Sequence, residues 1–138
     1  MKIFCFLGVG RSGMDFFQSL FDKHPEVSQF PGIFFFNLFW LKIKNKSKKQ
    51  IAKEFINEYE RYFNSKINKL ERHDKLGKNK NEYFIVSKIL FIKNFIKFCK
   101  NSNDKADVFI NLHMAYSAAS KENILKKKII LLNIHNYE

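Results

Sequence analysis

Apolar and polar positions along this chain follow two rhythms, one short and continuous, the other helical. Residues 2–7, Lys-Ile-Phe-Cys-Phe-Leu, form a nearly unbroken apolar run of strand formers that stops at Gly8, the pattern of a strand buried on both faces in a parallel sheet. From Met14 to Lys23, Phe16, Phe17, Leu20 and Phe21 recur at helical spacing. His24-Pro25 ends that helix, because the residue before a proline is pushed out of the α region. Val27 to Phe30 predicts a second short strand closed by Pro31-Gly32, followed by an almost wholly apolar helix or buried segment from Ile33 to Ile43.

The second half of the chain is more clearly helical. Between Lys48 and Phe63, Ile51, Ala52, Phe55, Ile56, Tyr59, Tyr62 and Phe63 form one stripe opposite Lys49, Lys53, Asn57 and Glu60, which predicts a single amphipathic helix. Asn64 to Asn81 is polar and contains Gly77, a loop with a helical turn at Ile67 to Arg72. Tyr83 to Lys100 predicts another helix, with Lys88, Lys93, Lys97 and Lys100 on one side and apolar residues from Phe84 to Cys99 filling the rest. Its apolar side is expected to pack on a core while the lysine stems snorkel outward. A helix from Asp104 to Ser120 carries Val108, Leu112, Ala115 and Ala119 on one stripe, and Ile129-Ile-Leu-Leu-Asn-Ile134 reads as a buried strand. Strands near both ends with helices between them predict one α/β domain over residues 1–138, built on a parallel sheet.

Composition narrows the class. With 138 residues, 46% of them hydrophobic and 17% aromatic, the chain can bury a real core and is neither disordered, collagen-like nor a solenoid. Cys5 and Cys99 lie in apolar runs with no metal-ligand spacing nearby, so they are expected to be reduced core residues of a cytoplasmic protein without a metal site. The longest apolar stretch, Phe30 to Leu41, is broken by Pro31, Gly32 and Asn37 and falls short of the ~20 residues a membrane span needs. No small-residue cleavage pattern follows the first apolar run, so no signal peptide is expected. A net charge of +12 predicts an anionic ligand. Arg11, Arg61 and Arg72 are the only arginines, however, and sequence-specific nucleic-acid readout relies on the arginine fork, so that partner is not expected.

The candidate chemistry lies in Gly8-Val-Gly-Arg-Ser-Gly13, which holds three of the five glycines and sits between the first strand and the first helix. Glycines let backbone amides close on a ligand, and the start of a helix offers unpaired N–H groups and positive dipole, so such a loop suits phosphate or sulfate. The dinucleotide-binding reading of Gly8-x-Gly10-x-x-Gly13 lacks the acidic residue about 20 positions on, where Gln29, Phe30 and Pro31 stand. A nucleotide kinase or hydrolase reading fails at Met14-Asp15, where a lysine and a hydroxyl residue would grip phosphate and magnesium.

Ile3-Phe-Cys-Phe-Leu-Gly-Val-Gly-Arg-Ser-Gly13, followed by Phe16-Phe-Gln-Ser-Leu-Phe-Asp-Lys-His24-Pro25-Glu-Val27, resembles the opening of the sulfotransferase family. There a strand, a loop of the form G-x-x-R-S-G-T-T, a helix and His-Pro-x-Val build the site for the 5'-phosphosulfate of 3'-phosphoadenosine 5'-phosphosulfate. The resemblance covers residues 3 to 32 and implies an α/β fold with a P-loop-like parallel sheet and flanking helices. It further implies that the backbone amides of Gly10, Arg11, Ser12, Gly13, Met14 and Asp15 hold the donor, with Ser12 adding a hydroxyl. Arg11 would be the catalytic cation, stabilising charge that grows on the leaving phosphate oxygen.

Met14 and Asp15 stand where the family has paired threonines. The family's second motif, an Arg and a Ser for the 3'-phosphate, has no counterpart before Glu138, so an incomplete N-terminal part of the fold is expected. The acceptor implied is a hydroxyl or amine on a small molecule, carbohydrate or lipid, with no metal required. His113, His135 and Glu138 are the late acid–base groups, and His113 is expected to be a satisfied core histidine. The rival reading is a catalytically inactive fragment acting as an anion-binding or interaction module.

Overall fold

The structure, a computed structural model, describes residues 1–8, 13–67, 78–79, 81–99 and 104–135. It is an α/β arrangement whose strands β1 (Lys2–Gly8), β2 (Val27–Ser28) and β3 (Ile129–His135) form one parallel sheet in the order β1-β3-β2. The last strand is therefore central. It pairs with β1 from Lys2↔Ile129 to Gly8↔His135, which brings the carboxyl ends of both strands to the same edge.

Helix α1 (Met14–Ser19) lies on one face of the sheet, where the Phe6 ring meets those of Phe17 and Phe21 at centroid distances of 4.5 and 6.2 Å. The other helices, α2 (Phe36–Ile43), α3 (Lys48–Glu58), α4 (Glu60–Phe63), α5 (Lys88–Phe98) and α6 (Lys105–Ala119), build the main core on the opposite face. There Ser28 Oγ bonds to the His113 carbonyl and to Ser117 Oγ, tying β2 to α6. Phe30 sits at the junction, its ring within 5.5 Å of those of Phe34, Phe55, Tyr62, His113 and Tyr116. Each such buried ring contributes on the order of 2–3 kcal/mol of burial free energy, so this aromatic layer is the main source of stability.

Several elements differ from the sequence expectation for identifiable reasons. Helix α1 stops at Ser19, because the amides of Leu20, Phe21 and Asp22 each turn back to a carbonyl three residues earlier and Lys23 adopts φ +57°. The expected single helix from Lys48 to Phe63 breaks at Tyr59 (φ −116°, ψ 40°). The break is fixed from outside: the Tyr116 hydroxyl donates to the Tyr62 carbonyl, and the Tyr62 hydroxyl donates to that of Ile33. The helix expected from Tyr83 begins only at Lys88. Residues 84–86 instead run along residues 63–65, with Val86 N–H bonded to the Phe63 carbonyl and Ser65 N–H to that of Phe84, and Ser87 caps the helix from its side chain. The loop expected at Asn64 to Asn81, with its turn at Ile67 to Arg72, lies mostly outside the described residues.

The largest correction concerns β1. It lies at the edge of the sheet, and Ile3, Phe4, Cys5 and Leu7 are exposed, so Cys5 is not a core residue, whereas Cys99 is buried as expected. Helix α6 matches its expected span, with Asp104 as N-cap and Val108, Leu112, Ala115 and Ala119 buried. Among the described residues, no helix is long and apolar enough to cross a membrane.

Candidate functional site

The candidate loop is anchored at both ends. Gly8 closes β1 at the carboxyl edge of the sheet, opposite His135 on the central strand, and Gly13 opens α1. Gly13 is left-handed (φ 76°, ψ 17°), and a Cβ built there would meet nothing within 4 Å. Backbone rotation, rather than crowding, is thus what calls for glycine at this position. Gly10, Arg11 and Ser12 lie outside the described residues; Met14 and Asp15 form the first turn of α1 beside Gly13.

The carboxylate of Asp15 does not stand alone at the helix start. Asn133 Nδ2, from the central strand, donates to Asp15 Oδ1 at 3.3 Å and to Gln18 Oε1 at 3.1 Å. Gln18 Nε2 in turn donates to the Phe30 carbonyl at 2.7 Å. Gln29 Nε2 bridges the Gln18 carbonyl and Asp22 Oδ1. Asn133 and Gln18 are both buried, so this is a polar network in low dielectric that links β3, α1 and the segment after β2. Asn133 Oδ1 has no hydrogen-bond partner among the described residues.

Sequence reasoning did not single out Asn133, Gln18 or Gln29. The available signal was Asn133 itself, one polar residue within the apolar run Ile129 to Ile134, near the carboxyl edge where α/β sites form.

The late histidines separate. His113 is fully buried, stacked on Phe30 at 4.0 Å and packed edge-on to Phe109, and neither ring nitrogen has a hydrogen-bond partner among the described residues. Burial lowers its pKa to about 3, so it is a neutral core residue, although not the satisfied one expected, and it is closed off from any acceptor. The backbone of His135 ends β3 beside Gly8, and Glu138 lies outside the described residues.

At the opposite end of the sheet, Lys127 Nζ is buried. It donates to the carbonyls of His24 and Val27 and pairs with Glu122 at 2.5 Å, pinning the entry to β2. Beside it, Glu26 bonds Lys128, whose hydrogen bond and charge hold the Glu26 carboxyl below the ordinary range. Among the described residues, no group of three or more His, Cys, Asp or Glu side chains is arranged to hold a metal ion. Compared with family models, curated proteins and solved structures, the chain matches none.

Proposed function

We propose that the chain binds the 5'-phosphosulfate of 3'-phosphoadenosine 5'-phosphosulfate at the loop from Gly8 to Asp15 and transfers its sulfuryl group to a hydroxyl or amine acceptor. In this reading the domain is the N-terminal part of a P-loop-like fold. The observation that carries it is the β1-to-α1 connection: a parallel strand ends at Gly8, a left-handed Gly13 opens a helix, and the residues between them include Arg11 and Ser12. A glycine-rich connection from a parallel strand to a helix, at the carboxyl edge of a sheet, is a position that suits a tetrahedral anion.

The acceptor oxygen or nitrogen attacks sulfur and gives up its proton to solvent water, the bond from sulfur to the bridging phosphate oxygen breaks, and adenosine 3',5'-bisphosphate leaves. The Arg11 guanidinium offsets the charge that develops on the bridging oxygen, and the Ser12 hydroxyl donates to a non-bridging one. The Asp15 carboxylate would oppose an anion here, and its hydrogen bond from Asn133 reduces that opposition by directing Oδ1 to the central strand.

The second reading, an anion-binding or interaction module without catalysis, is favoured by the same residue. Asp15 puts a carboxyl side chain in the first turn of α1, where the resembling family has a hydroxyl. Sulfur-labelled donor incubated with the folded chain and a panel of alcohols, sugars and amines separates the two readings. Label transfer that Arg11→Ala abolishes is expected; donor binding without any transfer would favour the module.

A further inference from the structure

We propose that the outward face of α5 docks on anionic phospholipid membranes. The helix has two sides of different character. Phe91 and Phe95 are wholly buried, the Phe91 ring meeting those of Phe55 and Phe63, and this side packs chiefly on α3 and α6. At about 100° of rotation per residue, Ile89, Leu90, Lys93, Ile96 and Lys97 fall on the other side. Ile89 is 79% exposed, Leu90 41% and Ile96 38%, and Ile85, four residues before Ile89, is 67% exposed. The core therefore takes only part of the apolar residues of this segment. The remainder stand in water, interleaved with lysines.

The charge of this surface has one sign. From Tyr83 to Asn103 the sequence holds four lysines and no Asp or Glu. Elsewhere lysines are offset by carboxylates: Lys42 pairs with Glu58, Lys46 with Glu54, and Lys88, at the start of α5, with Glu60. Lys93 and Lys97 have no such partner among the described residues. An anionic bilayer supplies what both residue types lack, phosphate and carboxylate headgroups for the ammonium groups and the acyl boundary just below them for the isoleucines. The shape of the surface favours lipid over an acidic protein. A helix of 11 residues is ~16 Å long and ~10 Å across, so its face offers on the order of 200 Å², against about 800 Å² per partner in a specific protein interface. Lipid headgroups need no such complementary area. Nucleic acid would leave the isoleucines unmatched, and this segment has no arginine to read bases. A sheet that continues past β1 leaves the face open, because α5 reaches the sheet through α6, which meets β2 at the edge farthest from β1.

This inference is independent of the sulfuryl-transfer reading. The test is co-sedimentation of the full chain with vesicles of phosphatidylcholine containing about 30% phosphatidylserine, beside vesicles of phosphatidylcholine alone. Binding to the anionic vesicles and none to the neutral ones is expected. Lys93→Glu/Lys97→Glu should raise the lipid needed for half-binding about twentyfold or more, at about fivefold for each lysine at an anionic surface. Ile89→Ser should raise it several-fold with every lysine in place. Lys2→Glu/Lys126→Glu, an equal change of net charge at the amino end of the sheet, should weaken binding far less. All five side chains are exposed, so each variant should keep the circular dichroism spectrum of the unaltered chain. Undiminished binding by Lys93→Glu/Lys97→Glu, or an equal loss in Lys2→Glu/Lys126→Glu, would overturn the proposal. So would an unaltered chain that stays in solution with anionic vesicles; its retention on immobilised polyglutamate would then assign the face to an acidic protein instead.

Discussion

At the scale of single residues, burial of His113 has a direct consequence for acid stability. Its imidazole is wholly enclosed by Phe30, Phe34 and Phe109, and burial lowers its pKa from the ordinary 6.5 to about 3. The unfolded chain therefore takes up this proton first as the pH falls. Stability from keeping the ring neutral is fully present above about pH 6.5 and is lost from there toward pH 3, at about 1.4 kcal/mol per pH unit. Denaturant titrations at pH 7, 6 and 5 are expected to show this decline in the unaltered chain and a flatter profile in His113→Leu. Equal slopes for both proteins would mean that other groups govern acid stability. The histidine is a product of packing: position 113 falls on the buried side of α6, and Ser28 accepts its place there by bonding to the residue's backbone rather than to its ring.

At the scale of elements, the parts legible in the sequence were those whose own pattern decided them. Helix α6 needed only its stripe and Asp104, and β3 needed only an apolar run between charged flanks. The helix boundaries that moved are those decided by distant partners. Tyr59 breaks a continuous stripe where Tyr116 and Ile33 engage Tyr62, and Phe84 and Ile85 leave the helical phase because the strip at residues 63–65 takes their backbone. The candidate loop was legible through its glycines, and Gly13 has the left-handed backbone that glycine permits. The network at the start of α1 was not, since nothing local tells that Gln18 meets Asn133, 115 residues along the chain, or that Gln29 bonds the Gln18 carbonyl. That network gives a test at this scale. Asp15→Asn keeps an oxygen to accept from Asn133 while removing the charge, and is expected to tighten binding of adenosine 3',5'-bisphosphate by about tenfold, near 1.4 kcal/mol. Unchanged affinity in calorimetry would place the anion away from α1.

The whole molecule carries a net charge of +12. Nucleotide binding at a cationic loop is expected to weaken as ionic strength rises from 50 to about 500 mM and the screening length shrinks to a few ångströms. Titration at both ionic strengths registers this effect, and an affinity indifferent to salt would mean that charge does not hold the nucleotide. The reading of β1 as a covered strand followed from its composition, which is that of an interior strand. Its position was not legible, because strand order depends on which elements reach the sheet and β3, the last strand in sequence, takes the centre. Sulfuryl transfer depends first on the loop between Gly8 and Asp15 holding the donor nucleotide. Calorimetric titration of the chain with adenosine 3',5'-bisphosphate without magnesium, beside Arg11→Ala, tests it: saturable binding that the substitution abolishes is predicted, and a folded chain that takes up no nucleotide, or binds it equally well without Arg11, would contradict it.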